Sequence, residues 1–215
     1  MGPAFVRFGI RRAPAAASGT RHHLAGAGPH SWELWYDAYD RAYQELAEGT
    51  DRVFAAGLSM GGTLALRLAA HRPVAGVAVV NPGLTIDDPR ARYSGLLKYV
   101  QKSVPAIANN IKLEGQDEGA YSRTPVGGVH QLMRLFKDTT AVLPRITSPV
   151  LAFRSTVDLV VPESSMDVLR RYVGSTLEAV SLENSYHVAT MDHDAPLIFD
   201  RSHQFIQRIS AGAAA

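Results

Sequence analysis

The sequence predicts an α/β fold: a mainly parallel sheet flanked by helices, with an inserted cap. Strand-like runs at 53–56, 74–80, 150–153 and 177–182 alternate with stretches of helical spacing. The runs at 53–56 and 74–80 are apolar on both faces, as in parallel strands covered by helices on either side. The stretch 84–147 is too long for a simple crossover, so it reads as an insertion.

The length of 215 residues suits one domain with a sizeable core, and 46% apolar with 20% charged residues is a globular balance. No apolar run approaches a membrane span, so no stable membrane anchor is expected. Cysteine is absent, which excludes disulfides, thiolate metal sites and a cysteine nucleophile. The formal charge is +2, but Arg7, Arg11, Arg12 and Arg21 fall in a head without acids. The remainder is slightly acidic, which argues against a nucleic-acid partner. The expected location is the cytoplasm.

Residues 1–30 are rich in Ala, Gly, Arg and Pro and lack periodicity, so an atypical or poorly structured segment is expected there. A single folded unit is expected over 31–215, with its cap at about 84–147. Ser31 reads as an N-cap with Glu33 in the first turn. Trp35, Ala38, Tyr39, Ala42, Tyr43 and Leu46 share a helical stripe, and Gly49 is the stop. A strand at 53–56 and a helix at 61–70 follow. Pro73 breaks that helix before the strand 74–80, and Asn81-Pro82-Gly83 turns the chain.

Within the insertion, Val129, Leu132, Met133, Phe136 and Leu143 share a face, while Lys98 and Lys102 read as a solvated helix face. The strand Val150–Phe153 leads to Asp158. A helix carrying Met166, Leu169, Tyr172 and Val173 follows and stops at Gly174. The strand 177–182 leads to His187. Asp194 is placed to cap the last helix, with Pro196 in its first turn. Ile198, Phe199, Ser202, Phe205, Ile206 and Ile209 form its buried stripe, and Ala211–Ala215 should fray.

The centre of this plan is Val53-Phe54-Ala55-Ala56-Gly57-Leu58-Ser59-Met60-Gly61-Gly62. It is a strand, a tight turn with serine at its tip, then a helix: the nucleophile-elbow pattern G-x-S-x-G. A serine pushed out at such a turn sits in a strained conformation. Side chains two residues to either side would collide, so Gly57 and Gly61 are expected to be required. The following helix points free N–H groups at developing negative charge. A phosphate loop would need a Gly-Lys-Ser/Thr run, and no lysine follows the glycines of this turn.

Ser59, Asp158 and His187 each follow a strand, in the order Ser, Asp, His. That order marks the α/β-hydrolase fold. In it His187 takes the serine proton, Asp158 orients the imidazole, and the backbone N–H of Met60 donates to the oxyanion. A metal cluster of His187, His193, Asp192 and Asp194 is disfavoured, because their spacing places them on no common helix face. His22-His23 offers incidental metal affinity at most.

Gly57-Leu58-Ser59-Met60-Gly61-Gly62, Asp158-Leu159-Val160-Val161-Pro162 and Ser185-Tyr186-His187-Val188-Ala189-Thr190 with Asp192 resemble bacterial carboxylesterases of the monoacylglycerol lipase type, in the α/β-hydrolase superfamily. The resemblance runs from about Ser31 to Ile209. It implies a serine ester hydrolase with an inserted cap. Its substrates would be short- to medium-chain acyl esters or monoacylglycerols, with no metal or cofactor. It also implies Ser59, Asp158 and His187 as the triad and the Met60 amide as half of the oxyanion hole.

Members of that family carry strands before the helix at Ser31, one ending in a His-Gly loop that gives the second oxyanion N–H. None of the eight histidines here precedes glycine, and Leu24-Ala25-Gly26-Ala27-Gly28-Pro29 occupies that place. The N-terminal part of the sheet is therefore expected to be missing or atypical, leaving a sheet edge open to self-association. The alternative reading is a catalytically impaired hydrolase-like fragment or ligand-binding protein. Another acyl hydrolase, a thioesterase or peptidase, is the third.

Overall fold

A computed structural model describes residues 31–87, 103–105, 109–119 and 123–212. The expectations for residues 1–30 and for Lys98 and Lys102 lie outside these. In chain order the helices are α1 (Trp32–Ala47), α2 (Met60–Ala69), α3 (Val126–Thr140), α4 (Ser164–Tyr172) and α5 (Ala195–Gly212). The strands are β1 (Phe54–Leu58), β2 (Gly76–Val80), β3 (Ser103–Pro105), β4 (Arg123–Pro125), β5 (Val150–Ser155) and β6 (Leu177–Leu182).

The main sheet has the order β1-β2-β5-β6, and all its pairs are parallel. Successive side chains point to opposite faces, and in β2 and β5 both sets are largely apolar and buried, so both faces are covered. Ala55, Val77, Val79, Val150 and Ala152 join the core on one face, with Leu66, Met166 and Leu169 from α2 and α4. Val80, Leu151, Phe153 and Leu182 meet Ile198 and Phe205 of α5 on the other. The stretch between β2 and β5 holds the antiparallel pair β3–β4, α3, and a short 3-10 turn at Leu143–Arg145. Leu143 leaves the helical face predicted for it and enters the main core through that turn.

Other sequence expectations shift as well: Phe199, expected in the buried stripe of α5, is exposed. Ser31 has extended backbone at the α1 N-cap, but its side chain makes no capping bond. Ala38 and Leu46 are exposed, and the buried stripe runs instead through Trp32, Tyr36, Tyr39 and Tyr43. The reason is that α1 packs on α2 and α3, which turns its aromatic face toward Leu64 and Leu135.

Among the described residues β1 lies at the sheet edge. Ala75 N–H donates to the Val53 carbonyl, and Ser59 N–H to the Val80 carbonyl. The intervening Phe54, Ala56 and Leu58 therefore turn their backbone groups outward. The Tyr39 hydroxyl covers one of them, donating to the Ala56 carbonyl at 2.8 Å. Among the described residues no helix is long and apolar enough to cross a membrane.

Candidate active site

Ser59 sits between β1 and α2 with φ 53° and ψ −121°, a conformation that side chains rarely adopt. Its neighbours hold it there. Its N–H bonds the Val80 carbonyl at 2.9 Å, and its carbonyl accepts from Thr63 N–H at 3.1 Å. Met60 opens α2, so its N–H is the first of the helix and has no intrahelical acceptor.

The two elbow glycines are not equivalent. A Cβ on Gly57 would overlap the backbone C and O of Gly61 and the N of Gly62, whereas one on Gly61 meets nothing within 4 Å among the described residues. The expected steric need at Gly61 is thus overturned among the described residues, where that residue faces open space. Gly62 is the tight one on that side, where an added Cβ would lie 3.2 Å from the Gly57 carbonyl oxygen and the Pro82 Cβ. Gly57→Ala is expected to lower Tm by about 5 °C or more, from overpacking against rigid backbone. Gly61→Ala should leave Tm unchanged or slightly raised, since alanine is the better helix former. Thermal melts of the two variants check this.

Asp158 follows β5 and His187 follows β6, at the same carboxyl end of the sheet as Ser59. His187 Nδ1 lies 2.9 Å from Asp158 Oδ2, and the Asp158 side chain is fully buried. The other oxygen, Oδ1, accepts N–H bonds from Val160 at 2.8 Å and Val161 at 2.9 Å. Burial by itself would raise this carboxyl's pKa. The hydrogen bond and charge of His187, with the Val161 and Val160 amides, outweigh it and hold Asp158 below the usual carboxylate value. An ionised Asp158 fixes the His187 tautomer with its proton on Nδ1, leaving Nε2 free to accept.

The His187 backbone is pinned from three directions. Its N–H donates to Asn110 Oδ1 at 2.9 Å, and its carbonyl accepts from Asn81 Nδ2 at 2.8 Å. Ser155 Oγ donates to the preceding Tyr186 carbonyl at 2.8 Å. Asn81 is fully buried with φ 45°, and its Oδ1 accepts from Ser155 N–H. It follows Val80, the residue that holds Ser59, so it links the elbow to the histidine loop. In the sequence Asn81 reads only as a turn residue. A buried asparagine at a strand end is a signal visible only once its partners, 74 and 106 residues away, are known.

Asp192 has a structural task. Its carboxylate accepts backbone N–H bonds from Lys112, Leu113, Tyr186 and His193 at 2.6–2.9 Å. Burial alone would raise its pKa; these four amides outweigh that and lower it. Asp194 stands just before α5, but its carboxylate bonds the Asn184 N–H at 2.8 Å. The lowered Asp192 pKa gives a definite sign. Its stabilisation is present above the unfolded carboxylate value near ~3.9 and is lost as pH falls through the lower folded value. Asp192→Asn should lower Tm by about 5–10 °C near neutrality, because an amide N–H₂ then faces backbone donors. The variant's Tm should also fall less steeply than the wild type's below about pH 4. Melts recorded against pH check both.

A cavity of about 480 Å³ is lined by Arg154, Thr156, Asp158, Glu163, Arg170, Ala179, Val180 and Ser181. Neither Ser59 nor His187 lines it, so it lies on the acid's side of the site and is not an acyl pocket.

The profile of the family described as serine aminopeptidase, S33, matches residues 27–194. The chain is 36% identical over 197 residues to a thermostable monoacylglycerol lipase of Bacillus sp. (strain H-257), covering 86% of this chain and 77% of that one. It is 22% identical to a carboxylesterase of Bacillus subtilis (strain 168), covering 86% and 75%. A solved structure reported with the metagenome-derived lipolytic enzymes LipS and LipT superposes with a TM-score of 0.80 at 34% identity, covering 85% of this chain and 78% of that one.

Proposed function

The chain belongs to the serine aminopeptidase (S33) family of hydrolases, and on that footing we propose that it is a carboxylic ester hydrolase working through an acyl-serine intermediate on Ser59. The observation that carries this reading is the buried Asp158–His187 pair, 2.9 Å apart, at the sheet end where Ser59 is held at positive φ. Named relatives that act as a monoacylglycerol lipase and a carboxylesterase support the substrate class.

Each step follows from a stated atom. His187 Nε2 takes the Ser59 proton as Oγ attacks the acyl carbonyl. The Met60 N–H, at the positive end of α2, donates to the oxyanion. His187 returns the proton to the leaving alkoxide. It then deprotonates the water that cleaves the acyl-serine. Asp158 holds the ring and offsets the charge of the imidazolium throughout. By resemblance, the substrates are short- to medium-chain acyl esters or monoacylglycerols.

A second reading, a hydrolase fold without turnover, draws on the open edge of β1 among the described residues. Lack of one oxyanion donor costs about 100- to 1000-fold in rate. Hydrolysis of p-nitrophenyl esters across acyl lengths separates the two. The proposal expects turnover that peaks at short to medium chains. A folded, monodisperse sample without turnover at any length would put the second reading first.

A further inference from the structure

Arg154 is the feature that the acid–base pair does not require. It lies on β5, a strand buried along its whole length, and is 8% exposed. Burying an always-charged guanidinium in such a strand is costly unless every N–H is used. Here each side of the fork is engaged. Nη1 donates to Asp158 Oδ2 at 2.9 Å, Nε to Glu163 Oε2 at 2.9 Å, and Nη2 to the Val161 carbonyl at 2.8 Å. Yet Asp158 already has two amides on Oδ1 and His187 on Oδ2. What Arg154 adds is a fixed positive charge on the same oxygen that His187 uses.

We propose that Arg154 is a positioning residue that shares Asp158 Oδ2 with His187 and thereby sets the lower pH limit of turnover. The inference rests on the reading of Asp158 and His187 as the acid–base pair. Two cations on one carboxylate oxygen repel each other, so imidazolium formation is less favoured than beside an unshared aspartate.

The other charged groups around the pair come from each neighbouring element. Glu163, just before α4, is 54% exposed at its side chain and is shared between Arg154 and Arg170 of α4. Asp192 faces the histidine loop through Tyr186 N–H and is occupied by the backbone donors of Lys112, Leu113 and His193. Glu163 thus partly offsets Arg154, and its removal should act in the opposite direction to removal of Arg154.

The test compares kcat/KM against pH, on a p-nitrophenyl ester, for the wild type, Arg154→Met, Arg154→Lys and Glu163→Gln. Arg154→Met should move the acid limb up by about one pH unit with little change in KM. Arg154→Lys should restore most of the wild-type limb. Glu163→Gln should move it down by about 0.3 unit, less at high salt, because that carboxylate is exposed and screened. Limbs that coincide with the wild type in Arg154→Met and Glu163→Gln, with Tm alone reduced, would overturn the proposal and leave Arg154 a structural ion-pair partner.

The His187 ring titration followed by NMR in the same proteins reads the same shifts without turnover. A wild type that hydrolyses nothing therefore counts against the ester hydrolase reading, while the ring titration still decides on Arg154. If Arg154→Met does not fold, the downward shift in Glu163→Gln and its salt dependence decide in its place. An unmoved Glu163→Gln limb then overturns the proposal.

Discussion

Asp158→Asn is expected to lower kcat by about 10⁴-fold while KM stays within a few-fold. The geometry explains why so small a change costs so much. Val160 and Val161 N–H bind one oxygen of Asp158 and would hold the carbonyl oxygen of an asparagine. The new amide N–H₂ is then forced toward His187 Nδ1 and Arg154 Nη1, which need an acceptor. His187 can meet that donor only with its proton moved to Nε2. In that tautomer it cannot accept the Ser59 proton. The fold should survive, since Oδ1 and the surrounding packing are retained. Steady-state kinetics beside a thermal melt check the split. A loss carried mainly by KM would contradict the orienting role of Asp158.

Ser59→Ala should cost more, about 10⁶-fold in kcat, because nucleophile and base act as a unit. The substitution removes one oxygen and leaves the bonds of the Ser59 backbone to Val80 and Thr63 in place. A methyl group at φ 53° carries the same strain as the serine side chain, so Tm should change little. The residual rate should come from substrate binding and the Met60 N–H alone.

Much of this site is legible in the sequence for a physical reason. A parallel strand buried on both faces must be apolar along its length, and it ends where polar residues begin. Ser59, Asp158 and His187 therefore announce themselves by following β1, β5 and β6. The groups that hold them do not. Asn81, Asn110 and Asp192 bond to residues remote in sequence, so nothing beside them marks the role. Arg154 is only four residues from Asp158, yet in sequence it looks like the polar end of a strand.

The elbow pattern treats Gly57 and Gly61 alike, and only the fold reveals that Gly57 abuts backbone while Gly61 is open among the described residues. The aromatic stripe of α1 was readable as a stripe. Its rotation toward Trp32 and Tyr36 depends on α2 and α3, and on the Arg67 guanidinium 4.5 Å from the Trp32 ring centre and 5.3 Å from that of Tyr36.

The central claim is that Ser59 is an activated nucleophile, and covalent labelling reads it most directly. A fluorophosphonate reacts readily with an activated serine and slowly with an ordinary hydroxyl. Intact-mass measurement of the wild type should show a single adduct, mapped by proteolysis to the Ser59 peptide. Ser59→Ala should show none, and Asp158→Asn should label far more slowly. A folded wild type that stays unlabelled, or an adduct on another residue that persists in Ser59→Ala, would contradict the account.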